Sequence, residues 1–321
     1  MKHTQLGLTS LAIVACGLIA FAQQAPPAQV PVAPVGRGGG AAPGAPAPGR
    51  QGGRGGRAGA VARKRVLAWA DTRNGQAQHE SVGHALATIE HLGYESGLWD
   101  TFIRTDSNII SATPKKTDGT PASGGPSLAN VDAIFYEGHR EVPLEAAQKE
   151  ELLKFVRDGH GFVAAHVALT SFASWPEFLD LIGARYEGHA FNGAGVVVNE
   201  NPAFPATKHF PASFPFTDEF YQASEYSRDK IDVLLRLVKP GAQPTEDIPV
   251  AWAKNYGKGR VFYSSFSHAS ETWDIRNVQQ MYFEAMKWAL GLTDGEPAPH
   301  PMRGSADAAA PARGGGGGSL K

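Results

Sequence analysis

Five polar residues stand at the ends of apolar, strand-like runs of this sequence. Asp71 follows RKRVLAWA, Glu137 and His139 lie at the end of the run that begins VDAIFYEG, and His166 lies within GFVAAHV. His268 follows the later run GRVFYSSFS. The ligand crevice of an open α/β sheet lies beyond the carboxyl ends of its strands, so we expect these side chains to converge on one edge. Imidazoles beside carboxylates suit proton transfer or metal binding.

The elements that would position these residues alternate between strands and helices in the first half of the domain. Strands are predicted at 63–70, 94–100, 131–138 and 161–167, and helices at 79–93 and 143–161. Apolar runs separated by amphipathic helices predict a parallel sheet with helices on both faces. We expect Gly93 to end the first helix and Pro143 to open the second.

The second half of the domain has a different pattern. Four strand-like runs follow one another with few helices between them: RYEGHAFNGAGVVVN, IDVLLRLV, IPVAWAKNY and GRVFYSSFSH. YGKG has the composition of a hairpin turn, and residues 277–291 are predicted to form a closing helix. The C-terminal half is therefore expected to add antiparallel strands to a largely parallel sheet.

Both ends of the chain have compositions that exclude them from a packed core. Residues 1–22 combine Lys2, a short apolar run and AFA before Gln23, which is typical of a secretory signal peptide. Residues 23–62 and 295–321 are rich in Pro, Ala, Gly and Arg, which predicts a disordered linker and a disordered tail. We therefore expect one domain at 63–294 in a protein exported to the periplasm or the medium.

Cysteine usage and charge exclude several classes of function. Cys16, the only cysteine, also fits a lipoprotein cleavage box, but the chain stays apolar beyond it, so lipid anchoring through Cys16 is the less favoured alternative. The mature domain would then have no cysteine nucleophile, no disulfide and no membrane span. Residues 63–294 hold 22 Lys and Arg against 29 Asp and Glu, which argues against nucleic acid as a partner.

Five stretches of the domain resemble the ThuA-like (trehalose utilisation) family. They are RNGQAQHES with His79, GFVAAHVALTSF with His166, RYEGHAFNG with His189, FTDEFYQASEY with Asp218, Glu219 and Tyr221, and IPVAWAKNYGKGRVFYSSFSHASETW with His268. The last stretch is the most specific of the five. The resemblance implies the class I glutamine amidotransferase-like fold, a flavodoxin-type α/β sandwich with helices on both faces of its sheet.

The resemblance also bears on the reaction. In class I amidotransferases a sharp turn after a strand presents a cysteine nucleophile, and a histidine near the end of a later strand acts as its base. Here His166 stands near the first position and His268 near the second. An imidazole cannot replace a thiolate in forming the acyl-enzyme, so glutaminase activity is excluded while the fold is kept.

The site implied by the resemblance is a polar pocket. We expect His166, His268 and Glu219 to be catalytic. The substrate-binding candidates are His79, His189, Asp71, Glu137, Tyr221 and Trp273, of which the aromatic ones could stack against a sugar ring. The candidate metal ligands are His79, His166, His189 and His268.

Two chemistries remain open at this point. The imidazoles could hold a divalent transition metal that polarises a sugar carbonyl, or they could transfer protons without a metal. The resemblance implies a small carbohydrate as substrate, in particular a glycoside or disaccharide oxidised at ring carbon 3, and a lyase, isomerase or hydrolase reaction. The alternative is a non-catalytic sugar-binding module with the same fold.

Overall fold

The computed structural model describes residues 62–73, 79–116 and 118–303. The helices are α1 (Ser81–Ser96), α2 (Ala146–Arg157), α3 (Pro176–Ile182) and α4 (Arg276–Ala289). The strands are β1 (Lys64–Trp69), β2 (Trp99–Arg104), β3 (Ala133–Tyr136), β4 (Gly161–Ala165), β5 (Arg185–Asn199), β6 (Ser213–Ser224), β7 (Asp232–Val238), β8 (Pro249–Tyr256) and β9 (Gly259–Ser264). Short 3₁₀ turns follow β4 (His166–Thr170) and precede α4 (Ser270–Asp274).

The strands form one nine-stranded sheet in the order β2-β1-β3-β4-β9-β8-β7-β5-β6. Strands β2, β1, β3, β4 and β9 run parallel to one another, and β8, β7, β5 and β6 continue the sheet by antiparallel pairing. This mixed sheet confirms the fold class expected from the sequence.

Two apolar layers cover the sheet. Val66 and Ala68 of β1 point to the layer that contains α1 and α4, whereas Leu67 and Trp69 point to the layer of α2. The alternation follows from the period of two along a strand. Because both faces are covered, β3 and β4 are buried along their whole length, as a central parallel strand requires.

The boundaries of two helices differ from the predictions. Helix α1 passes through Gly93 and ends at Ser96, where it is capped by Gly97, whose φ of +68° is left-handed. Gly93 instead gives Trp99 room to pack, since a Cβ there would lie 2.3 Å from the indole nitrogen. Helix α2 begins at Ala146 rather than at Pro143, because Glu145 and Gln148 form a capping box there.

The C-terminal boundary expected at residue 294 falls inside a packed segment. The Trp288 indole donates a hydrogen bond to the Gly295 carbonyl at 2.7 Å. Further along, the Ala298 amide donates to Asp232 at 2.9 Å, and Arg303 Nη1 donates to the Glu200 carbonyl at 2.6 Å. The domain therefore continues to Arg303 at least.

The remaining predictions about the ends concern residues outside the described ranges. The signal peptide, the lipoprotein alternative at Cys16 and nearly all of the linker precede residue 62, and the rest of the tail follows residue 303. Within the described ranges, no helix combines the length and the apolar character needed to cross a bilayer.

Candidate functional site

His166 occupies a sharp bend at the carboxyl end of β4. Its φ of +33° is a left-handed conformation that side chains other than glycine adopt at a cost, and its side chain is fully buried. Nδ1 donates a hydrogen bond to the Ser265 carbonyl at 2.7 Å, which leaves Nε2 for the site. The Tyr263 hydroxyl donates to the His166 carbonyl at 3.0 Å. Both anchors come from β9 or the residue after it, because β9 pairs with β4.

His268 lies in the loop that follows β9, not at the strand end itself. The Asp218 carboxylate accepts a hydrogen bond from the Ser267 amide at 2.8 Å and thereby holds this loop. Ser267 has a φ of +101°, and the Tyr282 hydroxyl donates to the Phe266 carbonyl at 3.1 Å. The loop places His268 Nδ1 3.2 Å from His166 Nε2, so the two predicted catalytic imidazoles do meet.

Glu219 of β6 lies at the centre of the imidazoles. Its Oε2 atom is 3.0 Å from His268 Nδ1, 3.4 Å from His189 Nε2 and 3.5 Å from His166 Nε2. The atom is buried, yet none of these nitrogens is aligned to donate a good hydrogen bond to it. The interaction with His166, followed by those with His268 and His189, lowers the pKa of Glu219 to about 2 against the opposing effect of burial. Glu219 is therefore a carboxylate at neutral pH.

His79 completes the cluster from just before α1. Its ring centroid is 5.1 Å from that of His166 and 4.9 Å from that of His268. Its Nε2 atom lies 3.4 Å from the Tyr221 hydroxyl of β6. Burial, and then repulsion from the neighbouring imidazoles, lowers the pKa of His79 to about 4. Its imidazole is therefore neutral at neutral pH, with a lone pair to offer.

His189 of β5 stands at the mouth of the site. Its side chain is 53% exposed, and its Nε2 atom lies 3.4 Å from the Tyr186 hydroxyl. The pairing of β5 with β6 is irregular on both sides of this residue, between Tyr186 and Gly188 and between His189 and Phe191. Bulges of this kind redirect side chains, which accounts for the position of His189 over Glu219.

A cavity of about 680 Å³ opens over this cluster. It is lined by His79, Glu80, His139, Arg140, Thr170, Tyr186, His189, Tyr221 and His268. The sequence pattern placed His139 with Glu137 at the end of the third strand but gave it no role, and it did not single out Arg140. His139 and Arg140 lie three and four residues beyond Tyr136, the last residue of β3, so the rule of strand ends covers both.

Three of the residues predicted to bind substrate are buried in the protein and do not line the cavity. Trp273, expected to stack on a sugar, is fully buried in the core, with its ring 4.5 Å from that of Tyr282 and 5.9 Å from that of Phe135. Its position on the 3₁₀ turn before α4 directs the indole inward, so the expectation for Trp273 is wrong. Asp71 is buried and accepts hydrogen bonds from the Ser107 hydroxyl at 2.6 Å and the Arg73 amide at 2.9 Å.

Glu137 is also enclosed by the protein. It is completely buried and accepts a hydrogen bond from the Ser81 hydroxyl at 3.2 Å. Burial raises the pKa of Glu137 well above its usual range, and the nearby charge of Asp218 adds to the shift. Glu137 therefore supports the start of α1 through Ser81, and its burial favours the protonated form.

The atoms that could bind a metal ion differ from the predicted set by one residue. Ligand atoms of His79, His166, Glu219 and His268 all lie within 4.8 Å of one another. Glu219 thus takes the place that the sequence prediction gave to His189. Three imidazoles and one carboxylate make up a donor set typical of first-row transition metals.

The mixed nine-stranded sheet and the sharp bend after β4 are those of a class I glutamine amidotransferase-like fold. The profile of the ThuA family, described as trehalose utilisation, matches residues 65–289. The chain belongs to the ThuA family. Membership indicates a role connected with carbohydrates.

Solved structures share this fold at low sequence identity. A ThuA-like protein of Bacteroides uniformis is 21% identical with a TM-score of 0.56, and the match covers 73% of this chain and 95% of that one. A ThuA-like protein of Parabacteroides merdae is 17% identical with a TM-score of 0.53, and the match covers 71% of this chain and 90% of that one. No curated protein matches the sequence.

Proposed function

We propose that this chain is an exported enzyme that removes a proton beside the carbonyl group of an oxidised sugar, with a 3-keto-glycoside or 3-keto-disaccharide as its substrate. The observation that carries the proposal is the convergence of His79, His166, His268 and Glu219 under a cavity of about 680 Å³. Cavities of roughly 300–1,000 Å³ suit small-molecule ligands. Membership of the ThuA family, described as trehalose utilisation, is the reason for proposing a carbohydrate as the substrate.

A ketone at ring carbon 3 makes the hydrogen on carbon 2 acidic, because the carbanion that forms is an enolate. His189 takes up this proton in the proposal, since its side chain reaches into the cavity and is half exposed. The negative charge moves to the ketone oxygen, on the side of the buried cluster. In an isomerase His189 returns the proton to carbon 3, while the proton of the hydroxyl on carbon 2 moves to the oxygen on carbon 3, so that carbon 2 becomes the ketone. In a lyase the ketone re-forms as a double bond forms between carbons 1 and 2 and the bond from carbon 1 to the glycosidic oxygen breaks, and His189 returns the proton to that oxygen.

Two tyrosines and an arginine complete the proposed substrate site. Tyr186 lines the cavity, is half-buried and offers a flat apolar surface to a sugar ring, whereas the buried Tyr221 packs behind it, with its ring 4.9 Å from that of Tyr186 and 4.3 Å from that of His166. Arg140 also lines the cavity, and a guanidinium group can donate hydrogen bonds to sugar hydroxyls. Its left-handed φ of +58° is a costly conformation of the kind found at binding sites.

The test is incubation of the purified protein with 3-keto-trehalose or a 3-keto-glucoside in D₂O. The proposal predicts a new product, or deuterium at the carbon beside the ketone, detected by mass spectrometry and NMR. His189→Ala should abolish both signals, whereas His91→Ala, at an exposed position of α1, should leave them unchanged. Binding of the keto-sugar without product or exchange would contradict the proposal and support a sugar-binding module.

Export is the second part of the proposal, and its support is the composition of residues 1–22. Mass spectrometry of the mature chain should give an N-terminus at Gln23. A chain that starts at a lipid-modified Cys16 would favour membrane anchoring instead, and an intact N-terminus would refute export by this route.

A further inference from the structure

We propose that His79, His166, Glu219 and His268 bind one divalent first-row transition metal ion. Their ligand atoms come from four separate parts of the chain: the segment before α1, the bend after β4, strand β6 and the loop after β9. The proposal deepens the proposed function, since a cation here would polarise the ketone oxygen. Its test requires no sugar, so the two proposals can fail separately.

The distances between the ligand atoms carry the first argument. His166 Nε2 and His268 Nδ1 are 3.2 Å apart, and Glu219 Oε2 lies 3.0 Å from the second and 3.5 Å from the first. Nitrogen and oxygen ligands lie about 2.0–2.2 Å from zinc, which places neighbouring ligand atoms roughly 3 to 3.6 Å apart. The three measured separations all fall in this range.

The second argument is the buried carboxylate oxygen. Glu219 Oε2 has lost contact with water but has no well-aligned hydrogen-bond donor among the surrounding imidazoles. A buried anionic oxygen that is surrounded by imidazole nitrogens but accepts no aligned hydrogen bond is costly, and a shared cation would stabilise it together with the lone pairs of the imidazoles.

The third argument is the way His166 is held. Its Nδ1 donates to the Ser265 carbonyl, which fixes the tautomer that presents the Nε2 lone pair to Glu219 and His268. Histidines that bind metals generally donate their other ring nitrogen to a carbonyl or carboxylate in this way. The buried hydroxyl of Tyr263 fixes the backbone of the same residue.

The donor set selects the class of metal. Imidazole nitrogens suit zinc, iron, nickel and copper, and a carboxylate extends the range to manganese, whereas magnesium and calcium prefer oxygen ligands alone. We therefore expect Zn²⁺ or Mn²⁺ to bind and Mg²⁺ to bind poorly. His189 lies outside the ligand group, which makes His189→Ala the matched control for the loss of an imidazole beside Glu219.

The experiment uses the mature chain, purified without a histidine tag, stripped with EDTA and titrated calorimetrically with Zn²⁺, Mn²⁺ and Mg²⁺. We expect one equivalent of Zn²⁺ or Mn²⁺ to bind and to raise the melting temperature. Glu219→Gln keeps the shape of the side chain, so the variant should fold. Because the substitution removes a metal ligand, it should weaken metal binding by at least about 100-fold, more than the roughly 10–100-fold that loss of a hydrogen-bond partner of a ligand costs. His268→Ala should behave alike, and His189→Ala should retain the metal.

Several results would overturn the metal site. The folded wild type could fail to bind Zn²⁺ and Mn²⁺, or Glu219→Gln and His268→Ala could bind the metal as tightly as the wild type does. A loss of metal affinity in His189→Ala equal to that in these two variants would also overturn it. Visible absorption of the Co²⁺ form gives a second readout, because the spectrum of a bound ion should change in Glu219→Gln and stay unchanged in His189→Ala. Turnover of a keto-sugar by metal-free protein would refute the metal's role and leave the proposed reaction in place.

Discussion

Asp218 gives the sharpest test of how the site is built, because both of its oxygens are used. Oδ2 accepts the Ser267 amide at 2.8 Å, and Oδ1 accepts the Glu219 amide at 2.9 Å. In Asp218→Asn only one oxygen remains, and the new NH₂ group must face the other amide donor. One backbone N–H is then left without an acceptor in a largely buried place, which costs about 1–3 kcal/mol.

This cost has consequences for both stability and function. In a domain of this size 1 kcal/mol corresponds to about 2–4 °C, so the melting temperature should fall by roughly 2–12 °C. Ser267, no longer held at its left-handed φ, should relax and shift His268. A displacement of about 1 Å at a catalytic group can cost on the order of 100-fold, so we expect turnover and Zn²⁺ affinity to fall by roughly 10–100-fold.

The matched control is Asp232→Asn on β7. Asp232 is also a buried carboxylate, but the Asn201 amide group and the Ala298 backbone amide both donate to Oδ2, and Oδ1 faces His300 Nε2 at 3.5 Å, which can accept a hydrogen bond from an asparagine NH₂ group. Asparagine can keep both bonds with its single oxygen, so this variant should melt close to the wild type and retain turnover. Differential scanning fluorimetry, zinc titration and the keto-sugar assay measure the three effects. The role of Asp218 in positioning His268 is refuted if Asp218→Asn has the melting temperature, Zn²⁺ affinity and turnover of the wild type. It is also refuted if Asp218→Asn loses no more of these than Asp232→Asn does.

Three further predictions concern the buried acid, the two imidazoles and the end of the domain. Burial raises the folded-state pKa of Glu137, so the folded protein holds this proton to a higher pH than the unfolded chain does, and stability should fall as pH rises from about 4.5 towards the raised folded-state pKa. Glu137→Gln should remove this fall in melting curves recorded at a series of pH values. If the melting temperatures of Glu137→Gln and of the wild type change with pH in the same way, the assignment is contradicted. His166→Ala should lower the stability by about 1–3 kcal/mol as well as abolish turnover, whereas the partly exposed His268→Ala should abolish turnover with little change in denaturant midpoint. A chain that stops after Asp294 should melt earlier than one that stops after Arg303, and equal melting temperatures would show that the last segment contributes nothing.

The sequence by itself determined most of the local elements and the edge of the sheet at which chemistry could occur. It missed α3 and β6, and it placed the second strand at 94–100, whereas α1 extends to Ser96 and β2 spans Trp99–Arg104. Apolar runs at β3 and β4 are buried on both faces, and this pattern is visible without a structure. Because parallel strands end at a common edge, His166 could be placed at that edge from its position after an apolar run. The position of Cys16, the only cysteine, before residue 63 predicts in the same direct way that the domain has no cysteine nucleophile.

Only the tertiary structure decided which side chains meet. The inclusion of Glu219 in place of His189 among the possible metal ligands depends on the bulges between β5 and β6, which local periodicity does not encode. The burial of Trp273 depends on the packing of a 3₁₀ turn against β3 and α4, and the docking of residues 295–303 depends on acids supplied by distant strands. Sequence patterns specify an element and the face that it buries, whereas the direction of a single side chain follows from the twist, register and packing of the whole sheet.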